Sequence, residues 1–100
     1  MDTIITFITA FDSYGTVFSI IFDGTHYIFE IENEFFTEKN KKFTFETFED
    51  AENAFNTEID GFDIVNISRK EAWADYYGYE YDKKRKKVVI PSEYDTVIYI

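Results

Sequence analysis

A chain of 100 residues without cysteine reads as one domain, spanning 1–100 around a single core, with no disulfide framework and no thiolate for catalysis or metal binding. Twenty acids against ten bases give a net charge of −10, which repels nucleic acid and anionic membrane and attracts cationic protein surface. The start, MDTIITFITAF, lacks the basic n-region of a signal peptide, and no apolar run approaches the roughly 18 residues of a membrane span, so the expected location is the cytoplasm.

In chain order, residues 3–11 are apolar and β-branched and predict a buried strand, followed by a turn at DSYG. Residues 16–22 and 25–31 flank Asp23-Gly24, a pair suited to the type I′ hairpin turn because both centres need positive φ. A two-residue loop would pair 22 with 25, 20 with 27 and 18 with 29. One face then carries Phe18, Ile20, Phe22, Tyr27, Phe29 and Ile31, and is expected in the core. The other carries Val17, Ser19, Ile21, His26, Ile28 and Glu30, and is expected under a helix or partly wet.

Residues 39–42 read as a polar turn and 43–45 as a short strand. Thr47 is an N-cap for a helix over 48–59, with Glu49 and Asp50 in the first turn where the helix dipole favours acid. Phe48, Ala51, Phe55 and Ile59 then face inward, Glu49 and Glu52 outward, and Gly61 suits the stop. Residues 62–67 form another strand. Ser68-Arg69-Lys70-Glu71 has capping-box spacing for a second short helix through Tyr77, closed by Gly78. Tyr77, Tyr79 and Tyr81 also alternate as a strand would, which leaves that helix end open. A basic turn at 83–87 precedes strands at 88–90 and 96–100, separated by Pro91-Ser92. Strands first, then helices among strands, imply an α+β fold with a mainly antiparallel sheet of about five to six strands and one or two short helices.

Catalytic chemistry finds no foothold. His26, the only histidine, adjoins the hairpin turn and no nucleophile elbow is present. A calcium loop can be aligned with Asn56, Glu58 and Asp60 at its first, third and fifth positions and Gly61 at its sixth. It fails at the eighth, Asp63, and at the twelfth, where Ile67 stands in place of a bidentate Glu. Phosphate-loop, dinucleotide and zinc spacings are absent, so neither a metal nor a cofactor is expected, and the protein is read as a non-enzyme. The run KKRKK at 83–87 is a solvated turn rather than a phosphate-binding patch, so direct nucleic-acid binding is not expected.

Charge distribution is more telling. Residues 1–68 carry 14 acids against three bases, a net of −11, whereas 69–100 carry seven bases against six acids. Neither 1–38 nor 43–68 holds a single Lys or Arg. Glu30, Glu32, Glu34 and Glu38 lie close in sequence, as do Glu46, Glu49, Asp50 and Glu52, and each group is a candidate for binding a basic partner. Trp73, Tyr76, Tyr77, Tyr79 and Tyr81 form the densest cluster of amphipathic aromatics, a residue type favoured at interface centres. Aromatic residues make up 21% of the chain, of which AT-rich codons explain a part.

Small, acidic, free of cysteine and rich in Tyr and Phe, the chain resembles the inhibitors that phages direct against bacterial defence enzymes, the anti-CRISPR proteins and DNA mimics. Composition and charge pattern carry this resemblance. It implies a protein acting in the cytoplasm of a bacterial host, whose carboxylates enter a basic groove where phosphates normally sit. The second reading is a non-enzymatic subunit or immunity-type partner that forms an obligate homodimer through its aromatic face. A small enzyme or ligand-binding domain is a third, marked by an enclosed pocket with convergent polar groups.

Overall fold

The computed structural model describes residues 3–92 and 96–100. Its first five strands are β1 (Ile5–Asp12), β2 (Thr16–Phe22), β3 (Tyr27–Asn33), β4 (Lys41–Phe45) and β5 (Ile64–Arg69). They form one antiparallel sheet in the order β4-β3-β2-β1-β5. Helix α1 (Phe48–Ile59) connects β4 at one edge to β5 at the other, and so crosses one face of that sheet. Helix α2 (Glu71–Tyr77) follows, and β6 (Glu80–Asp82), β7 (Lys87–Pro91) and β8 (Val97–Tyr99) make a second, three-stranded antiparallel sheet. The α+β class and the antiparallel pairing are as expected, with the strands divided between two sheets.

The core follows from period-two burial. Phe18, Ile20, Phe29 and Ile31 are all buried on one sheet face. There they meet Phe48, Ala51 and Phe55 of α1, with the Phe29 and Phe55 rings edge-on at 5.7 Å. Trp73 and Ala74 of α2 and Val88 of β7 join the same cluster. Burying one such phenylalanine ring contributes roughly 1.5–3 kcal/mol. The opposite face stays partly wet: Val17, Ser19, Ile21 and Glu30 are half-buried and Glu32 is exposed. No described helix is long and apolar enough to cross a membrane.

The hairpin register differs from the expected one. Phe22 pairs with Tyr27, Ile20 with Phe29 and Phe18 with Ile31, so four residues lie between the last paired positions. Asp23 causes the slip. Its Oδ1 accepts from the N–H groups of Thr25 at 2.9 Å and His26 at 2.8 Å, which replaces the type I′ turn with a side-chain-capped loop. The slip moves every partner by two residues, so each side chain keeps its face.

Four further local readings are corrected. Lys41 and Lys42 belong to β4, because they pair with Ile31 and Glu30, and only Lys39 remains in the preceding 3-10 turn (Thr37–Lys39). The Ser68 capping box does not form: Ser68 pairs with Thr9 in the sheet, Lys70 stands at the helix start, and its N–H donates to the Phe7 carbonyl. Sheet pairing outcompetes the cap there. Gly61 is not in the left-handed region, and α1 ends through short turn bonds from Gly61 and Phe62 to Glu58 and Ile59. The strand after α1 begins at Ile64 rather than at 62. Gly78, by contrast, has φ 78°, and the Gly78 and Tyr79 N–H groups reach the Asp75 and Ala74 carbonyls as a Schellman closure requires.

Candidate protein-binding surface

Thr47 starts α1 by accepting the Asp50 N–H on its Oγ1 at 3.2 Å, which fixes the helix phase. With Phe48, Ala51 and Phe55 inward, Glu49 and Glu52 share one flank, three residues apart, and Asp50 lies on the other. The flank holding Glu52 faces α2. Trp73 Nε1 donates to Glu52 Oε2 at 2.6 Å, and the Tyr77 hydroxyl donates to Glu52 Oε1. Glu52 is therefore half-buried and tied between helices, not free in solvent as the sequence implies. Burial, the bond to Glu52 and the charges of Glu52 and Glu49 all push the Tyr77 hydroxyl pKa well above the ordinary tyrosine value.

Around this tie the aromatics form a continuous surface. Trp73 and Tyr77 ring centroids lie 4.6 Å apart, Tyr76 and Tyr77 5.1 Å, Tyr77 and Tyr79 6.5 Å, and Tyr76 caps the buried Phe48 ring at 4.6 Å. Tyr76, Tyr77 and Tyr79 remain 49%, 43% and 36% exposed, enough to meet a partner. Trp73 is 9% exposed and Tyr81 packs half-buried against the core, so these two support the surface rather than form it.

The two acidic groups do not merge. Glu46 follows Phe45, which pairs with Tyr27, and it holds the His26 imidazole at 3.4 Å. Glu32 and Glu34 flank Asn33 at the other end of β3, and Glu38 sits in the 3-10 turn beyond it. Six strand steps of about 3.3 Å separate those ends by roughly 20 Å, well beyond a Debye length of about 8 Å. Glu30 lies between them, with its carboxylate 3.9 Å from the Lys42 ammonium. The fold thus joins Glu49 and Glu52 to the tyrosines, and leaves Glu32, Glu34 and Glu38 on a separate end.

Several acids prove to be turn-makers. Asp12 Oδ1 accepts from the Tyr14 and Thr16 N–H groups at 2.9 and 2.7 Å, and Asp82 Oδ1 accepts from those of Lys84 and Arg85 at 2.9 and 3.0 Å. The basic turn at 83–87 stays local. Lys83 lies 4.0 Å from Glu71, and Arg85 pairs with Asp82 at 2.9 Å and stacks over Tyr99. None of these contacts reaches Glu49 or Glu52. In the stretch aligned above as a calcium loop, Asn56 and Glu58 are helical, Asp60 caps the helix, and Asp63 accepts from the Ser13 hydroxyl at 3.0 Å. No family model matches the chain, and neither a curated protein nor a solved structure is significantly similar to it.

Proposed function

We propose that this protein is a non-enzymatic inhibitor that occupies the basic, nucleic-acid-binding groove of a bacterial defence or nucleic-acid-handling protein, in the manner of anti-CRISPR proteins that mimic DNA. The observation that carries the reading is the junction of Glu49 and Glu52 with the exposed rings of Tyr76, Tyr77 and Tyr79. Guanidinium groups bind such a surface twice over, stacking on tyrosine faces and pairing with carboxylates. The remaining carboxylates on β3 and in the 3-10 turn add long-range attraction, which speeds encounter with a basic groove. The exposed tyrosines also favour a second reading, a homodimer closed through the same rings.

Salt separates the two. The full chain is immobilised and incubated with bacterial lysate, beside a Glu49→Lys/Tyr76→Ala variant. The expected result is a basic nucleic-acid-binding protein held only by the wild type, released as salt rises from about 0.1 to 0.5 M and displaced by duplex DNA. A dimer that sedimentation finds intact at high salt, and that Tyr76→Ala dissociates, would put the second reading in its place.

A further inference from the structure

We infer that the cavity between the β1–β2 turn, the 3-10 turn and the end of α1 binds a small zwitterion with an apolar body, of the α-amino-acid class. The site is distinct from the tyrosine surface and does not depend on the protein-binding reading. The cavity holds about 400 Å³, inside the range of roughly 300–1,000 Å³ usual for small-molecule sites. Its polar floor is Asp12, Thr16 and Asn33, all buried. Ile31, Phe36 and Phe62 supply apolar wall, and Glu38, Lys39, Lys41 and Glu58 line it with charges of both signs.

The floor is built before any ligand arrives. Asn33 Nδ2 donates to Thr16 Oγ1 at 2.9 Å and to the Tyr14 carbonyl at 3.3 Å. Asn33 Oδ1 accepts from the Phe35 and Phe36 N–H groups at 2.9 and 2.7 Å, and its own N–H donates to Asn40 Oδ1 at 2.8 Å. These bonds pin the 34–40 loop over the β1–β2 turn. Gly15 is part of that closure, since a Cβ there would stand 3.1 Å from the Phe35 ring. Pre-organisation of this kind lowers the ordering cost of binding.

The charges decide the ligand. Asp12 is already balanced: burial pulls its pKa upward, but bonds from Thr16 and Tyr14 and the charge of Lys39 hold it below the ordinary value. Lys39 is also engaged, its ammonium 5.1 Å from the centre of the Phe36 ring. Lys41 and Glu58 are different. They line the cavity together with Glu38, and none of the three takes part in an ion pair within 4.0 Å among the described residues. Glu58 is half-buried, whereas Lys41 and Glu38 are exposed, so a ligand with one charge would match only one sign of the lining. A dipolar ligand meets both signs, with its carboxylate toward Lys41, its ammonium toward the half-buried Glu58 and its body on Phe36, Phe62 and Ile31.

The test is calorimetric titration of the full chain with L-phenylalanine and L-leucine. Phenethylamine and 3-phenylpropanoate serve as controls that keep the body and one charge each. The expected result is saturable one-to-one binding of an amino acid, with both controls about tenfold weaker or worse. Lys41→Met and Glu58→Gln should each weaken binding about tenfold at unchanged melting temperature, and a Glu34→Gln control should not. The inference is overturned if neither amino acid binds by about 10 mM. It is equally overturned if a singly charged control binds as well, or if Glu58→Gln leaves the affinity unchanged.

Discussion

Replacing Glu52 with alanine removes the acceptor of two donors at once, the Trp73 indole and the Tyr77 hydroxyl. A hydrogen bond to a charged group is worth about 1.5–3 kcal/mol when shielded from water. Glu52 is half-buried and Tyr77 is 43% exposed, so solvent screening brings the Tyr77 bond below the bottom of that range. Trp73 is 9% exposed, and its stranded N–H carries most of the cost. Together the loss comes to about 2–3 kcal/mol, or a melting shift of roughly 10–20 °C for a domain of this size.

Trp73 is the only tryptophan in the chain, so its emission reports the contact directly. Urea unfolding followed by fluorescence and by circular dichroism should give a lower midpoint for Glu52→Ala and an altered native emission. Glu52→Gln, which keeps one acceptor, should fall between. Tyr77 adds a pH signature. Its folded pKa is raised, so the stability it contributes is intact below the unfolded tyrosine value near pH 10.0 and is lost as pH climbs above it. Tyr77→Phe should remove that part of the alkaline loss. A Glu52→Ala variant within about 0.5 kcal/mol of wild type, with unchanged emission, would refute the tie between the helices.

Phe29→Ala should cost about 3–5 kcal/mol in urea unfolding, because the ring is 1% exposed and packed against Phe43 and Phe55. Asp12→Asn should flatten the acid limb of the stability curve: the folded carboxyl pKa is depressed, so its contribution is present above the ordinary aspartate value of 3.8 and lost as pH falls through the folded value. Gly78→Ala should destabilise by about 1 kcal/mol and Gly78→Asn by less. No atom crowds the Gly78 position, so the cost measured by thermal melting is that of φ 78° alone.

What the sequence reveals here depends on how local each signal is. Helix α1 is legible from Thr47 to Ile59 because cap, dipole and apolar spacing all lie within one segment and agree. The hairpin faces are legible even though the register is not, since burial patterning specifies parity and turn chemistry specifies the exact partner. Ser68 misleads because a local cap competes there with a ladder to β1, a segment some sixty residues earlier that the spacing rule does not see. Counting acids overstates the charge free for a partner: Asp12, Asp23 and Asp82 each hold a turn through backbone N–H groups. Glu52 could have been suspected from Trp73 and Tyr77 one helix away, but only the packing of α1 against α2 sets the pairing. The cavity floor was not legible at all, because Asp12, Thr16 and Asn33 come from three strands.

The strand order leaves β4 at the outer edge of the large sheet. An edge of exposed backbone is a template for another copy, and this one carries Phe43 and Phe45. It also carries Lys41 and Lys42, two of the only three bases in residues 1–68. Charge on an edge strand hinders edge-to-edge stacking, because a second copy added in register would bring like charges together in the unpaired ladder. The scarce bases of the acidic segment thus act as gatekeepers against self-assembly. Replacing both with threonine would raise β-propensity along an aromatic edge, and light scattering at high protein concentration would register the fibrils or oligomers that follow.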